Sequence, residues 1–247
     1  MLLSLPFLNA ARLAGALALG LALAPLHAAD VSVAPVRADL RAGALNETIT
    51  VSNRSAEPLR VAMRLVEWTQ DAEGKDVYRE TGDLVYFPRL ATIEPEGKGL
   101  VRVGARSPGG LTERSYRLFI EEQVQPTSES RTQVQVAFRF SVPIFLAPAT
   151  PRTELEVAEP KVEHGKVLLP VRNSGNVHAR VLRVVVDNAA GFRREVPGWY
   201  SLAGTQRTYA VDLPPDICRK GGTLKVAVEG EGVRADRQLH VDAARCV

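Results

Sequence analysis

The chain has 247 residues, 45% of them hydrophobic and 24% charged, with a formal net charge of only +3 and both signs interspersed. That balance argues against a nucleic-acid or membrane-surface partner in spite of a pI near 9.0, and the length suffices for one or two domains with buried cores. Two cysteines are too few for a disulfide-built scaffold, and four scattered histidines without metal-ligand spacing argue against a metal site.

Arg12 precedes an apolar run from Leu13 to Ala24, and Pro25, Ala28 and Ala29 supply the small residues of an export cleavage site. Residues 1–29 are therefore expected to be a signal peptide. The run is shorter than the roughly 20 residues of a membrane span, and no later stretch approaches that length, so no membrane insertion is expected.

From Asp30 onward short alternating runs replace helical periodicity. Val31–Val36, Glu47–Ser52, Leu59–Trp68, Leu100–Val103 and Tyr116–Ile120 each read as strands bounded by Asn, Gly or Pro. The longest run is Thr132–Leu146, in which Val134, Val136, Phe138 and Phe140 recur with period two and so share one side of an extended chain. At about twice the usual strand length of 5–6 residues, it has more apolar edge than its own domain needs. An edge of that kind templates pairing with another chain unless that pairing is its purpose.

Ala147-Pro148-Ala149-Thr150-Pro151 is a short, stiff extended connection, and strand patterns resume beyond it at Leu155–Val157, Lys166–Val171, Ala179–Val186, Gln206–Val211, Thr223–Val228 and Gln238–Val241. The expected fold is all-β: an N-terminal immunoglobulin-like domain over residues 30–147 and a C-terminal β-sandwich over 152–247, joined by a proline-containing linker. In an exported protein Cys218 and Cys246 are most simply a disulfide pair. There is no GxSxG, HExxH, P-loop or GxGxxG, and the adjacent Glu121 and Glu122 point to opposite faces of a strand, so neither an enzyme nor a cofactor is expected.

Laid out in order, Val31-Ser32-Val33 with Arg37, Val51-Ser52-Asn53 with Pro58, Phe87-Pro88, Ile93-Glu94-Pro95-Glu96-Gly97, Val101-Arg102-Val103, Glu113-Arg114-Ser115 and Pro143-Ile144-Phe145-Leu146-Ala147-Pro148 resemble the periplasmic pilus chaperones of the chaperone/usher family, the PapD-like proteins. The resemblance covers nearly all of the mature chain. It implies two immunoglobulin-like domains set at an angle around a cleft, and a periplasmic, ATP-independent chaperone that keeps a pilus subunit soluble and delivers it to an outer-membrane usher. It also implies that Val134, Val136, Phe138 and Phe140 form the strand lent to the subunit.

The family holds the subunit's terminal carboxylate between an arginine on the first strand and a lysine on the donor strand. Arg37 matches the arginine, but the lysine position is Pro143, so either Arg37 alone grips the carboxylate bidentately or Arg117 or Arg139 takes the vacant role. The proline and the Tyr116-Arg117-Leu118 run resemble the divergent, archaic branch. A client-free chain is expected to show an apolar patch or to self-associate through the strand. The competing reading is an immunoglobulin-like structural or adhesive module of the cell surface, in which Val134–Phe140 pack inside their own domain.

Overall fold

The computed structural model describes residues 31–124 and 137–243. In the first half the strands are β1 (Val31–Ala34), β2 (Ala38–Leu40), β3 (Asn46–Asn53), β4 (Leu59–Gln70), β5 (Asp76–Glu80), β6 (Leu84–Phe87), β7 (Leu90–Ile93), β8 (Lys98–Ala105), β9 (Arg114–Glu122) and β10 (Arg139–Leu146). They form two sheets, one in the order β1-β3-β8-β6 and one in the order β2-β10-β9-β4-β5, with β7 added beside β4. Ile49 and Val51 of β3, Val101 and Val103 of β8, Val61, Met63 and Leu65 of β4, and Leu118 and Ile120 of β9 meet between the sheets as one core. Period-two alternation is what permits this, because it sends one apolar row per strand inward and leaves the other row to solvent.

The alternation fails at one end of the larger sheet. Val66 and Trp68 of β4, Ser115 to Ile120 of β9 and Val142 to Leu146 of β10 are buried on both faces. Continuous burial means that both sides of the sheet are covered there. The outer cover comes from the second half of the chain, since Trp68 and Phe145 form a separate cluster with Leu202, packed against Tyr200.

The second half contains β11 (Leu155–Val157), β12 (Lys161–Glu163), β13 (Lys166–Asn173), β14 (Ala179–Asp187), β15 (Arg193–Pro197), β16 (Tyr200–Ser201), β17 (Gln206–Asp212), helix α1 (Pro215–Lys220), β18 (Gly222–Gly230) and β19 (Val233–Val241). One sheet orders β11-β13-β12 with β17 beside β13, and the other orders β15-β14-β18-β19 with β16 beside β14. Val167, Leu169, Val171, Val184, Val186, Val211, Val226 and Val228 fill the space between them. The chain is thus two immunoglobulin-like sandwiches, and the sheets of the first end and those of the second begin on either side of the Pro148–Pro151 segment.

Both sandwiches close a turn with the same device. Buried Asn53, at the end of β3, donates from Nδ2 to the carbonyls of Glu57 (2.8 Å) and Ile93 (3.1 Å), and its Oδ1 accepts from the Ser55 amide at 3.0 Å. Buried Asn173, at the end of β13, donates to the carbonyls of Val177 and Ser201, each at 2.8 Å, and accepts from the Gly175 amide at 2.9 Å. An amide side chain carries both donors and acceptors, which allows a buried turn to be satisfied from a single residue. Helix α1 was not legible in the sequence: six residues are too few to show helical periodicity, although Asp216 in the first turn and Arg219 and Lys220 in the last complement its dipole.

Candidate functional site

β10 is paired on one side only over most of its length. From Arg139 to Leu146 it runs antiparallel to β9, but on its other edge β2 pairs only with Ile144, Phe145 and Leu146. Among the described residues no strand covers that edge from Arg139 to Pro143. Proline is tolerated in a strand at such an edge, where a missing N–H breaks no ladder, and Pro143 falls where the open stretch begins. Phe138 precedes the regular strand; its carbonyl accepts from the Glu122 amide at 3.1 Å, which continues the pairing toward β9.

Of the four side chains expected to be lent, Val134 and Val136 lie outside the described residues. Phe138 and Phe140 are half-buried; they touch each other at a ring-centroid distance of 5.1 Å and lean on the rim of the first core without being sealed in it. The row continues inward as Val142, Ile144 and Leu146, all of them core.

The other face of β10 carries Arg139, Ser141, Pro143 and Phe145, and the neighbouring face of β9 carries Arg117 directly opposite Pro143. Arg117, Ser141 and Pro143 line an open pocket of about 540 Å³ between the sandwiches, with Arg37 on one wall and Arg180 and Tyr200 on the other. The pocket therefore joins two of the three candidate basic residues. Arg139 lies outside it, exposed and paired with Glu121 at 2.5 Å.

Arg117 is only 5% exposed. Its guanidinium lies 3.7 Å from the ring centroid of Trp68, with Tyr200 at 5.6 Å and Trp199 at 5.7 Å. Among the described residues its guanidinium makes one hydrogen bond, from Nη1 to Ser141 Oγ at 3.3 Å, while Nε and Nη2 are buried without partners there. Burial pushes its pKa down, yet an arginine keeps its charge at neutral pH. Aromatic faces stabilise such a cation by roughly 0.5–2 kcal/mol, which does not replace the hydrogen bonds that two buried donors lack. The guanidinium borders the pocket, its two unsatisfied donors lie beneath the pocket surface, and the arrangement makes Arg117 a candidate site for a carboxylate.

Arg37 is held differently. Its Nε contacts Asp39 Oδ2 at 3.0 Å and its Nη1 contacts Glu231 Oε2 at 3.1 Å, while Arg180 Nη1 contacts Glu231 Oε1 at 2.9 Å. Glu231, Arg180 and Trp68 were missed in the sequence because nothing local marks them: Glu231 and Arg180 meet Arg37 through the docking of the second sandwich, and Trp68 meets Arg117 across the pairing of β4 with β9. The seam that sets this docking is polar as well. Gln70 Oε1 accepts from the Leu202 amide (3.0 Å) and Thr205 Oγ1 (2.8 Å), and its Nε2 donates to the Tyr200 carbonyl at 2.9 Å. Glu113 accepts from the His178 amide at 2.9 Å and lies 2.9 Å from His178 Nδ1, whose ring stacks on Phe145 at 3.5 Å. His178 is thus a hydrogen-bonded seam residue.

Cys218 is buried and disulfide-bonded; Cys246, the other cysteine of the sequence, lies outside the described residues.

The described residues thus form two immunoglobulin-like sandwiches, with a strand edge that no described strand covers and a pocket lined by Arg37, Arg117 and Arg180 beside it. Residues 30–152 match the pili and flagellar-assembly chaperones through their PapD N-terminal domain. The fold matches the chaperone in the CsuC–CsuE pre-assembly complex of the archaic Csu pili of Acinetobacter baumannii with a TM-score of 0.62 at 18% identity, over 85% of this chain and 97% of that one. It also matches the Pseudomonas aeruginosa CupB2 chaperone (TM-score 0.53, 16% identity, 85% and 100% covered) and a chain of the Salmonella enterica SafA pilin–SafB chaperone complex (0.54, 16%, 85% and 96%). No curated protein matches by sequence. The chain belongs to the PapD-like pilus chaperones.

Proposed function

We propose that this protein is a periplasmic, ATP-independent chaperone that completes a pilus subunit by lending it the strand Val134–Phe140, and that hands the subunit to an outer-membrane usher. The observation that carries the reading is the uncovered edge at Arg139–Pro143, which leads directly into the half-buried Phe138 and Phe140. Unpaired main-chain groups on that edge would set the register of an added strand, and the alternate side chains would fill its groove. Four such side chains contribute on the order of 6–12 kcal/mol gross, before the cost of ordering both partners. The similar structures include CsuC with a tip adhesion subunit and SafB with a pilin, which is the kind of partner proposed here.

In this reading Arg37 and Arg117 together hold the subunit's terminal carboxylate. Arg117 takes the place of the lysine that Pro143 removes, because it lies across the ladder from Pro143 and faces the same pocket. A signal peptide of about 29 residues, domains over 30–147 and 152–247, and a Cys218–Cys246 disulfide complete the proposal.

Co-expression with a pilus subunit tests the reading. The double variant Val136→Asp, Phe138→Asp is expected to lose the subunit from the purified complex while its circular dichroism stays that of the parent. A subunit that still co-purifies with this variant rules out strand donation.

A further inference from the structure

Among the groups that line the pocket, Glu231 has no part in the carboxylate anchor. It occupies the tip of the two-residue turn between β18 and β19, where Gly230 pairs with Val233 and Gly232 takes a φ of 67°. Its amide donates to the Arg180 carbonyl at 3.0 Å, which fastens the tip to β14. From there its carboxylate spans the cleft, with one oxygen on Arg180 of the second sandwich and the other on Arg37 of the first. The two guanidiniums of the anchor are therefore in different states. Arg37 already holds two carboxylates that belong to the chain itself, Asp39 from its own sandwich and Glu231 from across the cleft, while Arg117 has no ion pair among the described residues.

We propose that Glu231 is an internal stand-in for the ligand carboxylate: it occupies Arg37 while the cleft is empty, is displaced from Arg37 when a terminal carboxylate enters, and remains on Arg180. The inference rests on the anchor reading above. The Arg37, Arg180 and Glu231 side chains are 36%, 48% and 43% exposed, so each ion pair is screened and exchange between carboxylates is inexpensive. A guanidinium that already holds one carboxylate is oriented for another, so the exchange needs little reorganisation. The price is competition, which lowers affinity by the fraction of molecules in which Arg37 is occupied. A short peptide carboxylate then binds, but more weakly than a chain that also pairs along β10. On release, Glu231 recaptures Arg37.

The chain carries its own reporter, since its two tryptophans, Trp68 and Trp199, both lie within 6 Å of the Arg117 guanidinium. The experiment titrates the full-length mature protein, followed by tryptophan fluorescence, with N-acetyl-Val-Thr-Phe bearing a free carboxylate and with the same peptide amidated. In the parent the free acid is expected to bind and the amide to leave the signal unchanged. Glu231→Gln should lower the Kd for the free acid about two- to five-fold, the range set by one exposed ion pair. Arg180→Gln, which leaves Glu231 wholly to Arg37, should raise it. A Kd for Glu231→Gln equal to or above that of the parent, or a shift in the same direction for both variants, overturns the inference while the anchor reading stands. If acid and amide behave alike in every protein, the anchor reading fails and this inference falls with it.

Discussion

Arg117 holds a charge where the protein gives it little in return, and that imbalance separates a binding residue from a structural one. Replacing a buried, incompletely hydrogen-bonded cation by an apolar side chain of similar length removes a desolvation cost. Arg117→Met is accordingly expected to leave the client-free protein as stable as the parent or more stable by up to about 2 kcal/mol in urea unfolding, while abolishing retention of the subunit. Marked destabilisation together with a retained subunit would show that the residue serves the fold instead. Tyr116, its neighbour on β9, is the opposite case. It is fully buried and donates to Asp83 Oδ2 at 3.0 Å; burial first, and then that bond, push its pKa well above the ordinary phenol range. A folded-state pKa above the unfolded one gives stability that is whole below about pH 10 and is lost as pH climbs toward the folded value. Unfolding free energy should therefore fall above pH 10, and Tyr116→Phe should flatten that fall at the cost of about 1 kcal/mol at neutral pH.

β10 shows how one element serves two masters along its length. Its inner half, Val142 to Leu146, is sealed by the core on one face and, at Phe145, by the second sandwich on the other, whereas its outer half is left with an open edge. Substitutions should divide in the same way. Ile144→Ala is expected to cost about 2–4 kcal/mol of stability by leaving a cavity, and Phe138→Ala much less, with its main effect on subunit binding; chemical denaturation of both variants checks this. The β4–β5 turn is held just as tightly by its surroundings. Gly74 has a φ of 77°, and a Cβ there would lie 2.8 Å from the Arg207 backbone of the second sandwich. Only glycine meets both demands, and the Gly74 carbonyl accepts from Arg207 Nη1 at 2.7 Å.

The two sandwiches are joined by contacts from both, and Val31–Val247 forms one compact unit. Gln70 bonds an amide, a hydroxyl and a carbonyl of the second half, and truncating it takes a partner from the Leu202 amide and the Tyr200 carbonyl in a partly buried seam, whereas Thr205 Oγ1 keeps the Leu202 carbonyl at 2.9 Å. Gln70→Ala should cost about 2–3 kcal/mol. In calorimetry it should separate one cooperative transition into two, because each sandwich retains a core of its own. A single transition at the parent midpoint would show that the apolar cluster of Trp68, Phe145 and Leu202 holds the seam without Gln70.

The amino-acid sequence alone determined the all-β content and the resemblance that names the family, because alternation and turn chemistry are local and each strand sends its side chains in and out by its own backbone geometry. It could not choose between Arg117 and Arg139. Both lie on the outward face of the same sheet, and the sequence gives each the same rank. What divides them is the second sandwich, whose Tyr200, Arg180 and Glu231 close the pocket around Arg117 and leave Arg139 in solvent beside Glu121. Which side of a strand a residue faces is settled over two positions of chain. What it faces there is settled by residues some sixty or more positions away, and only folding brings those into place.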